Sequence, residues 1–275
     1  MDTTQLRLEI VTPMFLRGSD NETPELRPPA FKALFRYWWR AAVNEMNVNT
    51  LRKKEADLFG STKGRSLLSI RIPGGVPPRS DEYAPLPHRD NFRSQALSPN
   101  GSFNLTLTAP ELREYKKIAK LSFLLGGVGN RSRRGFGSIR YQNWGFQNID
   151  ELRNEVHQTL DQISPGIFQQ NGGRIDKRAT VNIPDYPIIL NIYFGNTLSP
   201  NIDVLLRTIG QATHDHSNEA LGGINPRMAS PIHVRIQKVN SQFVPIVTQL
   251  HSVFPDGPPA NYKVRQQDFI NAIIT

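Results

Sequence analysis

The sequence predicts an α+β fold built from two modules. Residues 5–11 alternate apolar and polar side chains, which is typical of a half-buried strand. Residues 28–46 begin with two prolines and then place apolar side chains at helical spacing. Segments of both kinds recur along the whole chain, and 275 residues are enough for two small domains, each with its own core.

In the first half, six segments predict the order β-α-β-β-α-β, which is the ferredoxin-like arrangement. The predicted strands and helices cover residues 5–11, 28–46, 66–72, 102–109, 110–125 and 136–144. Residues 73–101, between the second and third of these strands, contain six prolines. A connection of this length that has no secondary structure is usually functional or disordered.

The second half predicts a further, rearranged ferredoxin-like module. Its apolar periodicity predicts three helices and three strands, the last two strands forming an antiparallel pair. The helices cover residues 149–163, 201–213 and 262–274, and the strands cover 186–194, 231–239 and 241–254. We therefore expect domains at 1–146 and 147–275, although the sequence contains neither a clear linker nor an internal repeat.

The net positive charge of the chain comes entirely from its first half. Residues 1–140 contain 23 Lys and Arg against 13 Asp and Glu, a net charge of +10, whereas residues 141–275 contain 10 against 11, a net charge of −1. Such asymmetry favours a polyanionic partner, with nucleic acid ahead of an anionic membrane. The alternative is a basic, solvated surface that has no specific partner.

Composition excludes several classes of protein. The chain has no cysteine, which excludes disulfides, thiolate metal sites and a cysteine nucleophile. No apolar run approaches the roughly 20 residues of a membrane helix, and the first residues lack the pattern of a signal peptide. We expect a cytoplasmic protein that has no membrane partner.

The predicted helix at 28–46 carries two different faces. Lys32, Arg36 and Arg40 recur every four residues and form a basic stripe, with Trp39 on the same side. Cations beside an exposed indole suit single-stranded RNA, because phosphates bind the cations and a base stacks on the ring. The alternative is a solvated basic face on which Trp39 is covered. The core face of this helix consists of Phe31, Leu34, Phe35, Trp38 and Ala42. The basic residues that follow the helix are Arg52, Lys53 and Lys54.

A glycine-rich segment at 124–138 contains three arginines. Glycine permits unusual backbone angles, successive N–H groups can hold an anion, and arginine donates bidentate hydrogen bonds to phosphate. Neither a dinucleotide-binding fingerprint nor a Walker A loop fits the spacing, so we expect no nucleotide cofactor. The alternative is a turn with solvated arginines. The residues concerned are Gly126, Gly127, Gly129, Arg131, Arg133, Arg134, Gly135 and Gly137.

The stretch GVGNRSRRGFG resembles the glycine-rich loop of the RAMP superfamily. Within that superfamily, the chain resembles the first RAMP subunit of the Cmr, or type III-B, CRISPR effector complex. The stretches that carry this resemblance are residues 12–18, 25–41, 55–61 and 126–138, with a further stretch at 227–236. Long segments between them do not match.

The resemblance implies two ferredoxin-like, RRM-like RAMP modules at the end of a complex used in antiviral defence. It implies neighbouring RAMP subunits of the Cmr complex as partners. It also implies contact with single-stranded guide RNA (crRNA), target RNA or both, near the guide 3′ end. The matching RNA-binding positions are Arg27, Lys32, Arg36, Trp39, Arg40, Arg131, Arg133 and Arg134.

A metal-independent RAMP endoribonuclease is the main alternative to a non-catalytic RNA binder. Cleavage of RNA without metal usually needs a general base, most often histidine. His214 and His216 form the only histidine cluster in the sequence, and His88 lies in the proline-rich insertion. An H-x-H pair needs a third ligand to hold a metal, so we expect no catalytic and no metal residues. A purely architectural subunit is the third possibility.

Overall fold

The computed structural model describes residues 1–74, 78–89 and 92–275. It is a mixed α+β structure with antiparallel sheets, as predicted. The first half contains the six predicted elements in the predicted order, together with one additional helix and one additional hairpin. Its elements are β1 (Asp2–Ile10), α1 (Pro28–Ala42), α2 (Val48–Phe59), β2 (Ser69–Arg71), β3 (Ser80–Tyr83), β4 (Ser94–Leu97), β5 (Ser102–Ala109), α3 (Arg113–Leu125) and β6 (Ile139–Tyr141).

Four of these strands form an antiparallel sheet in the order β2-β5-β1-β6. Along β1, Leu6, Leu8 and Ile10 are buried, as the alternating pattern predicts. Helices α1 and α3 pack together above this apolar face, and Phe31 of α1 contacts Phe103 of β5 with ring centroids 5.6 Å apart. The two long helices and the sheet therefore enclose one core.

Helix α2 was not predicted from the sequence. The expected helix at 28–46 ends at Ala42, because Val43 adopts an extended conformation, and a second helix then begins after Asn47. The Asn47 side chain accepts hydrogen bonds from the N–H groups of Asn49 and Thr50, at 2.9 and 3.0 Å, as an N-cap does. The buried face of α2 is narrow and includes the charged residue Glu55, which makes its periodicity weak.

The proline-rich insertion at 73–101 contains secondary structure, contrary to the expectation of a connection without any. Strands β3 and β4 pair as an antiparallel hairpin, and Leu97 of β4 exchanges backbone hydrogen bonds with Met14. The hairpin is therefore attached to the segment that follows β1. Residues 75–77 and 90–91 of the insertion, Pro77 among them, lie outside the described residues.

The second half contains the predicted helices and strands together with two additional hairpins. Its elements are α4 (Ile149–Ile163), β7 (Phe168–Asn171), β8 (Arg174–Lys177), β9 (Ile189–Phe194), α5 (Ile202–Asp215), β10 (Gly223–Ile224), β11 (Arg227–Met228), β12 (Ile232–Val239), β13 (Gln242–Leu250) and α6 (Tyr262–Ile274). Five strands form an antiparallel sheet in the order β12-β13-β9-β8-β7, and β10 pairs separately with β11. The additional hairpin β7–β8 turns at Gly172 and Gly173, which both have positive φ, and its strands are too polar to stand out in the sequence.

The cores of the two halves are joined. Helix α4 packs on α3 through Leu152, Val156 and Leu160, and the apolar cluster of the first sheet continues through these residues into the second half. A smaller cluster lies beneath α5 and α6. The proposed boundary at residue 146 falls between the two sheets and stays a prediction. No helix in the described ranges is long and apolar enough to cross a membrane.

Candidate nucleic-acid interface

The basic stripe of α1 is organised around one carboxylate of α2. Arg36 donates to Glu55, and the Arg40 Nε atom lies 3.7 Å from Glu55 Oε2. Only 6% of Glu55 is exposed, so the carboxylate is held beneath the two guanidinium groups. One carboxylate neutralises one of two cations, and the group keeps a net positive charge while its geometry becomes fixed.

The prediction that Trp39 is exposed beside this stripe is wrong. Only 6% of Trp39 is exposed, and its ring packs edge-on against Phe59, with centroids 6.2 Å apart. Helix α2, which the sequence analysis missed, supplies Phe59 and covers this side of α1. Trp39 is therefore a core residue and presents no face on which a base can stack.

An open groove lies between α1 and the loop at 60–66, and it brings together cations that are distant in sequence. We call it the α1–loop groove. Burial lowers the pKa of Lys32 and the nearby Arg36 charge lowers it further, so an anion bound there would relieve the repulsion between the two cations. The groove is lined by Lys32, Arg36, Phe59, Gly60, Ser61, Thr62, Gly64, Arg65 and Ser66.

The loop that forms one wall of this groove has a defined shape. The N–H of Ser61 donates to the carbonyl of Gly64 at 2.9 Å, and Gly60 has a φ of +79°. A Cβ at Gly60 would lie 2.6 Å from the Ser66 nitrogen, so glycine is required there. Lys63 and Arg65 are exposed on this loop and were missed by the sequence analysis. The sequence did contain a signal for them, because both cations follow shortly after residues 55–61, one of the stretches that carry the family resemblance.

The remaining predicted cations of this region lie at its edges. Arg27 is exposed at the N-cap position of α1. Arg52, Lys53 and Lys54 are exposed on α2, and Lys54 Nζ lies 2.7 Å from Glu45 Oε2. Because Lys54 is exposed, this ion pair contributes little to stability.

The glycine-rich loop at 126–138 is a structural joint, contrary to the prediction that its N–H groups hold an anion. Four of those N–H groups donate to protein carbonyls at 2.9 Å, in two neighbouring segments as well as within the loop itself. These bonds run from Val128 to Gly137, from Asn130 to Phe15, from Gly135 to Val234 and from Gly137 to Pro13. The loop thus links the segment after β1 to the edge strand β12 of the other sheet, and these donors are already used.

Three of the predicted glycines are needed because of this packing. Gly129, Gly135 and Gly137 have φ values of +90°, +86° and +65°. A Cβ at Gly137 would lie 1.9 Å from the Val128 carbonyl oxygen, which leaves no room for a side chain. Gly127 has a similar constraint, since its Cβ would lie 2.7 Å from the Phe136 oxygen.

The prediction that Arg133 and Arg134 present their guanidinium groups to phosphate is also contradicted. Arg133 donates to the carbonyl of Ser230, and Arg134 donates to the carbonyls of Arg133 and Ile232, both at 2.9 Å. The Arg134 guanidinium also lies 5.1 Å from the Phe269 ring centroid. Burial among these groups, together with the other two arginines of the loop, lowers the pKa of Arg134 to about 10. Arg131 is exposed.

We expect Arg134→Ala to lower the free energy of unfolding by about 1–3 kcal/mol, because it removes charge-assisted hydrogen bonds to the second half. The control, Arg131→Ala, should change stability by less than about 0.5 kcal/mol, as for most exposed positions. Urea denaturation of both variants checks this. Equal stability of the two variants would contradict the structural role of Arg134.

A buried arginine and a buried histidine of β12 extend this contact between the two halves, and the sequence analysis did not find them. Arg235 of β12 is 1% exposed and donates to the carbonyls of Gly126 and Ile139, and burial lowers its pKa to about 9. His233 accepts or donates a 2.8 Å hydrogen bond with the Tyr37 hydroxyl. Burial, with Arg133 and Arg134 nearby, holds the pKa of His233 well below its ordinary value. The sequence analysis missed both side chains because residues 231–239 have the pattern of an ordinary strand, and nothing in that pattern indicates that His233 and Arg235 are buried.

The histidines do not assemble as a metal site. The fold brings His88 against His214, with ring centroids 5.1 Å apart and nearly parallel planes. His214 and His216 find no third ligand, since the described ranges contain no group of three or more His, Asp or Glu side chains that could hold a metal ion. The cavity beside His88 has a volume of about 10 Å³, far below that of a nucleotide site.

Comparison with known protein families gives a match over the first module. The model of the RAMP superfamily matches residues 7–140, which include α1, α2 and the glycine-rich loop. The matched residues make up just under half of the chain. The resemblance read from the glycine-rich loop and the α1 motif is thereby confirmed.

Two curated proteins of Pyrococcus furiosus are similar to the chain. The CRISPR system Cmr subunit Cmr1-2 is 26% identical over 174 residues, covering 49% of this chain and 92% of that protein. The Cmr subunit Cmr1-1 is 30% identical over 173 residues, covering 51% of each. The chain thus spans about half the length of Cmr1-1 and most of the length of Cmr1-2.

Solved structures share the fold over almost the whole chain. The crystal structure of Cmr1 from Pyrococcus furiosus in its apo form has a TM-score of 0.67 at 20% identity, covering 99% of this chain and 96% of that one. A chain of the type III-B Cmr-beta complex bound to cognate target RNA has a TM-score of 0.62 at 12% identity, covering 98% and 99%. Both halves of the chain therefore share the fold of these solved structures.

Proposed function

We propose that the chain is a non-catalytic, RNA-binding subunit of a type III-B CRISPR ribonucleoprotein. The observation that carries the proposal is the α1–loop groove, where Lys32, Arg36 and Arg65 converge with three hydroxyl side chains. Cations and hydroxyls on one open surface suit the backbone of a single strand. The similarity to Cmr subunits, and to a chain of a complex bound to target RNA, supports the same assignment.

The ligand is single-stranded guide RNA (crRNA), target RNA or both, near the guide 3′ end, and neighbouring RAMP subunits are the protein partners. A role in antiviral defence in the cytoplasm follows from this assignment. We interpret both halves as ferredoxin-like modules. The strand order β2-β5-β1-β6 supports this for the first half; in the second, β12-β13-β9 repeats the order β2-β5-β1, and β8 takes the fourth position.

The absence of catalysis is part of the proposal. A metal-independent ribonuclease needs a base positioned at a site that admits a nucleotide. His88 stacks on His214, and the cavity beside His88 is far too small, which favours a binder over a nuclease. Intact RNA after prolonged incubation with the purified chain would support this. Products that disappear in His88→Ala or His214→Ala would establish the nuclease instead.

We expect Lys32→Ala combined with Arg65→Ala to weaken binding of single-stranded RNA and to reduce its salt dependence. Each phosphate contact contributes about −0.7 to the slope of log affinity against log salt for a single strand, so losing two should make it shallower by about 1.4. Fluorescence anisotropy across a salt series measures both quantities.

A control pair removes the same charge from the other half of the chain. Lys263 and Arg265 are exposed on α6, and replacing both by alanine should leave the slope nearly unchanged. Equal losses in the two double variants would show that binding follows net charge rather than the groove. No binding by the unmodified chain at low salt would favour a purely architectural subunit.

A further inference from the structure

A cavity of about 310 Å³ lies between α1, α2 and the segment at 185–187 of the second half. We call it the α1–α2 cavity. Its volume is at the lower end of the range for small-molecule sites, about 300–1,000 Å³. It adjoins the basic stripe, because Arg40 belongs to both and Glu55, which lines the cavity, pairs with the arginines of the stripe. It is lined by Tyr37, Arg40, Ala41, Val48, Leu51, Arg52, Glu55, Asp185, Tyr186 and Pro187.

The aromatic wall of this cavity is fixed before any ligand arrives. The Tyr186 hydroxyl lies 2.8 Å from the carbonyl of Val43 and accepts a 3.1 Å hydrogen bond from the N–H of Glu45. These bonds tie the ring to the connection between α1 and α2. Burial raises the pKa of Tyr186, so the hydroxyl stays neutral. A ring held in this way loses little freedom when a flat group stacks on it.

The cavity combines an apolar wall with charged groups of both signs. Ala41 and Leu51 are buried and form the apolar wall, whereas Arg40 and Arg52 are exposed on the two helices beside it. The carboxylates of Glu55 and Asp185 also line the cavity, and that of Glu55 is paired with Arg40. A matching ligand is a flat, largely apolar group joined to an anion. A nucleotide has this form, because its base is flat and its phosphate is negative.

We propose that the α1–α2 cavity binds one unpaired nucleobase, while the adjoining phosphates contact Arg40 and Arg52 on the way to the α1–loop groove. The inference rests on the proposed function, since it deepens the same RNA surface. It also supplies the aromatic partner that Trp39 cannot be, because Tyr186 is half-buried at the surface whereas Trp39 is enclosed. Stacking on aromatic side chains is the usual way in which proteins hold unpaired bases.

The test compares two single strands of equal length, an ordinary RNA and an abasic ribose-phosphate strand, bound by the full chain across a salt series. We expect the ordinary RNA to bind about tenfold more tightly, the effect of one stacked base, with parallel salt slopes for the two strands. Ala41→Leu fills the cavity from its buried wall and should bring the affinity ratio close to one. The phosphate contacts remain, so the salt slope should not change.

The matched control is Ala33→Leu, the same substitution at an exposed position of α1, which should keep the tenfold ratio. Thermal melting confirms that both variants are folded, and ultraviolet cross-linking of the unmodified chain to RNA should label the peptide that contains Tyr186. A ratio of one in the unmodified chain, or a ratio unaffected by Ala41→Leu, would overturn the base pocket while leaving the phosphate groove intact. Absence of any salt-dependent binding would overturn the RNA-binding proposal and the pocket together.

Discussion

Replacing Trp39 by alanine is expected to lower the free energy of unfolding by about 3–5 kcal/mol, the usual cost of truncating a buried tryptophan. The indole packs between α1 and α2 against Phe59, whose ring in turn contacts Tyr115 of α3. Its removal leaves a cavity at a point where three helices meet. The basic residues on the surface above are not altered, so the salt slope of RNA binding should stay the same in the folded fraction.

Trp38→Ala is the comparison for this experiment. Trp38 is 1% exposed and points about 100° away from Trp39 around α1, against Gly126 of the glycine-rich loop. Urea denaturation should give losses of similar size for the two variants. A Trp39→Ala variant with unchanged stability and weakened RNA binding would contradict the buried position and restore the stacking role inferred from the sequence.

Replacing Gly137 by alanine is expected to lower the free energy of unfolding by about 4 kcal/mol. The substitution forces a left-handed backbone on alanine, at about 1–3 kcal/mol, and adds the cost of overpacking, about 1–3 kcal/mol. The clash is with backbone, since the new Cβ would lie 1.9 Å from the Val128 oxygen, and backbone cannot rotate away as a side chain can. Chemical denaturation measures the loss.

Gly145→Ala provides the control for a change of glycine to alanine. A Cβ at Gly145 would meet no atom within 4 Å, and the substitution should be neutral or slightly stabilising, because it restricts the unfolded chain. If Gly137→Ala were as stable as Gly145→Ala, the glycine-rich loop would have to adopt a different conformation from the one described.

The parts of the fold that depend on local patterns were predictable. Helices 149–163 and 262–274 were predicted with their observed bounds; the first has a clear apolar stripe, and the second buries Phe269, Ile270 and Ile273 in its last two turns. Helix α2 was missed because Glu55 interrupts its stripe, and the reason for a buried glutamate is found only in its two arginine partners on α1. The sequence shows that charged residues of opposite sign are present, but it does not show which of them come into contact in the fold.

In the candidate site, too, features set by local spacing were predictable and features set by long-range contacts were not. Lys32, Arg36 and Arg40 were placed together correctly, because helical spacing alone decides their neighbourhood. Arg133 and Arg134 have the composition of a phosphate site, yet their guanidinium groups are used by a strand about 100 residues away. Arg65 was overlooked for the opposite reason, since only the fold brings it across from Lys32.

The parallel pairing of Arg134 with Val234 has a consequence for the order in which the chain is made. A ribosome adds about 5–20 residues each second, so the glycine-rich loop emerges roughly 5–20 seconds before the strand that completes it. During that interval the carbonyls that Arg235 later satisfies, that of Gly126 in the loop and that of Ile139 in β6, have no partner from β12. The nascent first half is therefore vulnerable to aggregation and proteolysis until β12 appears.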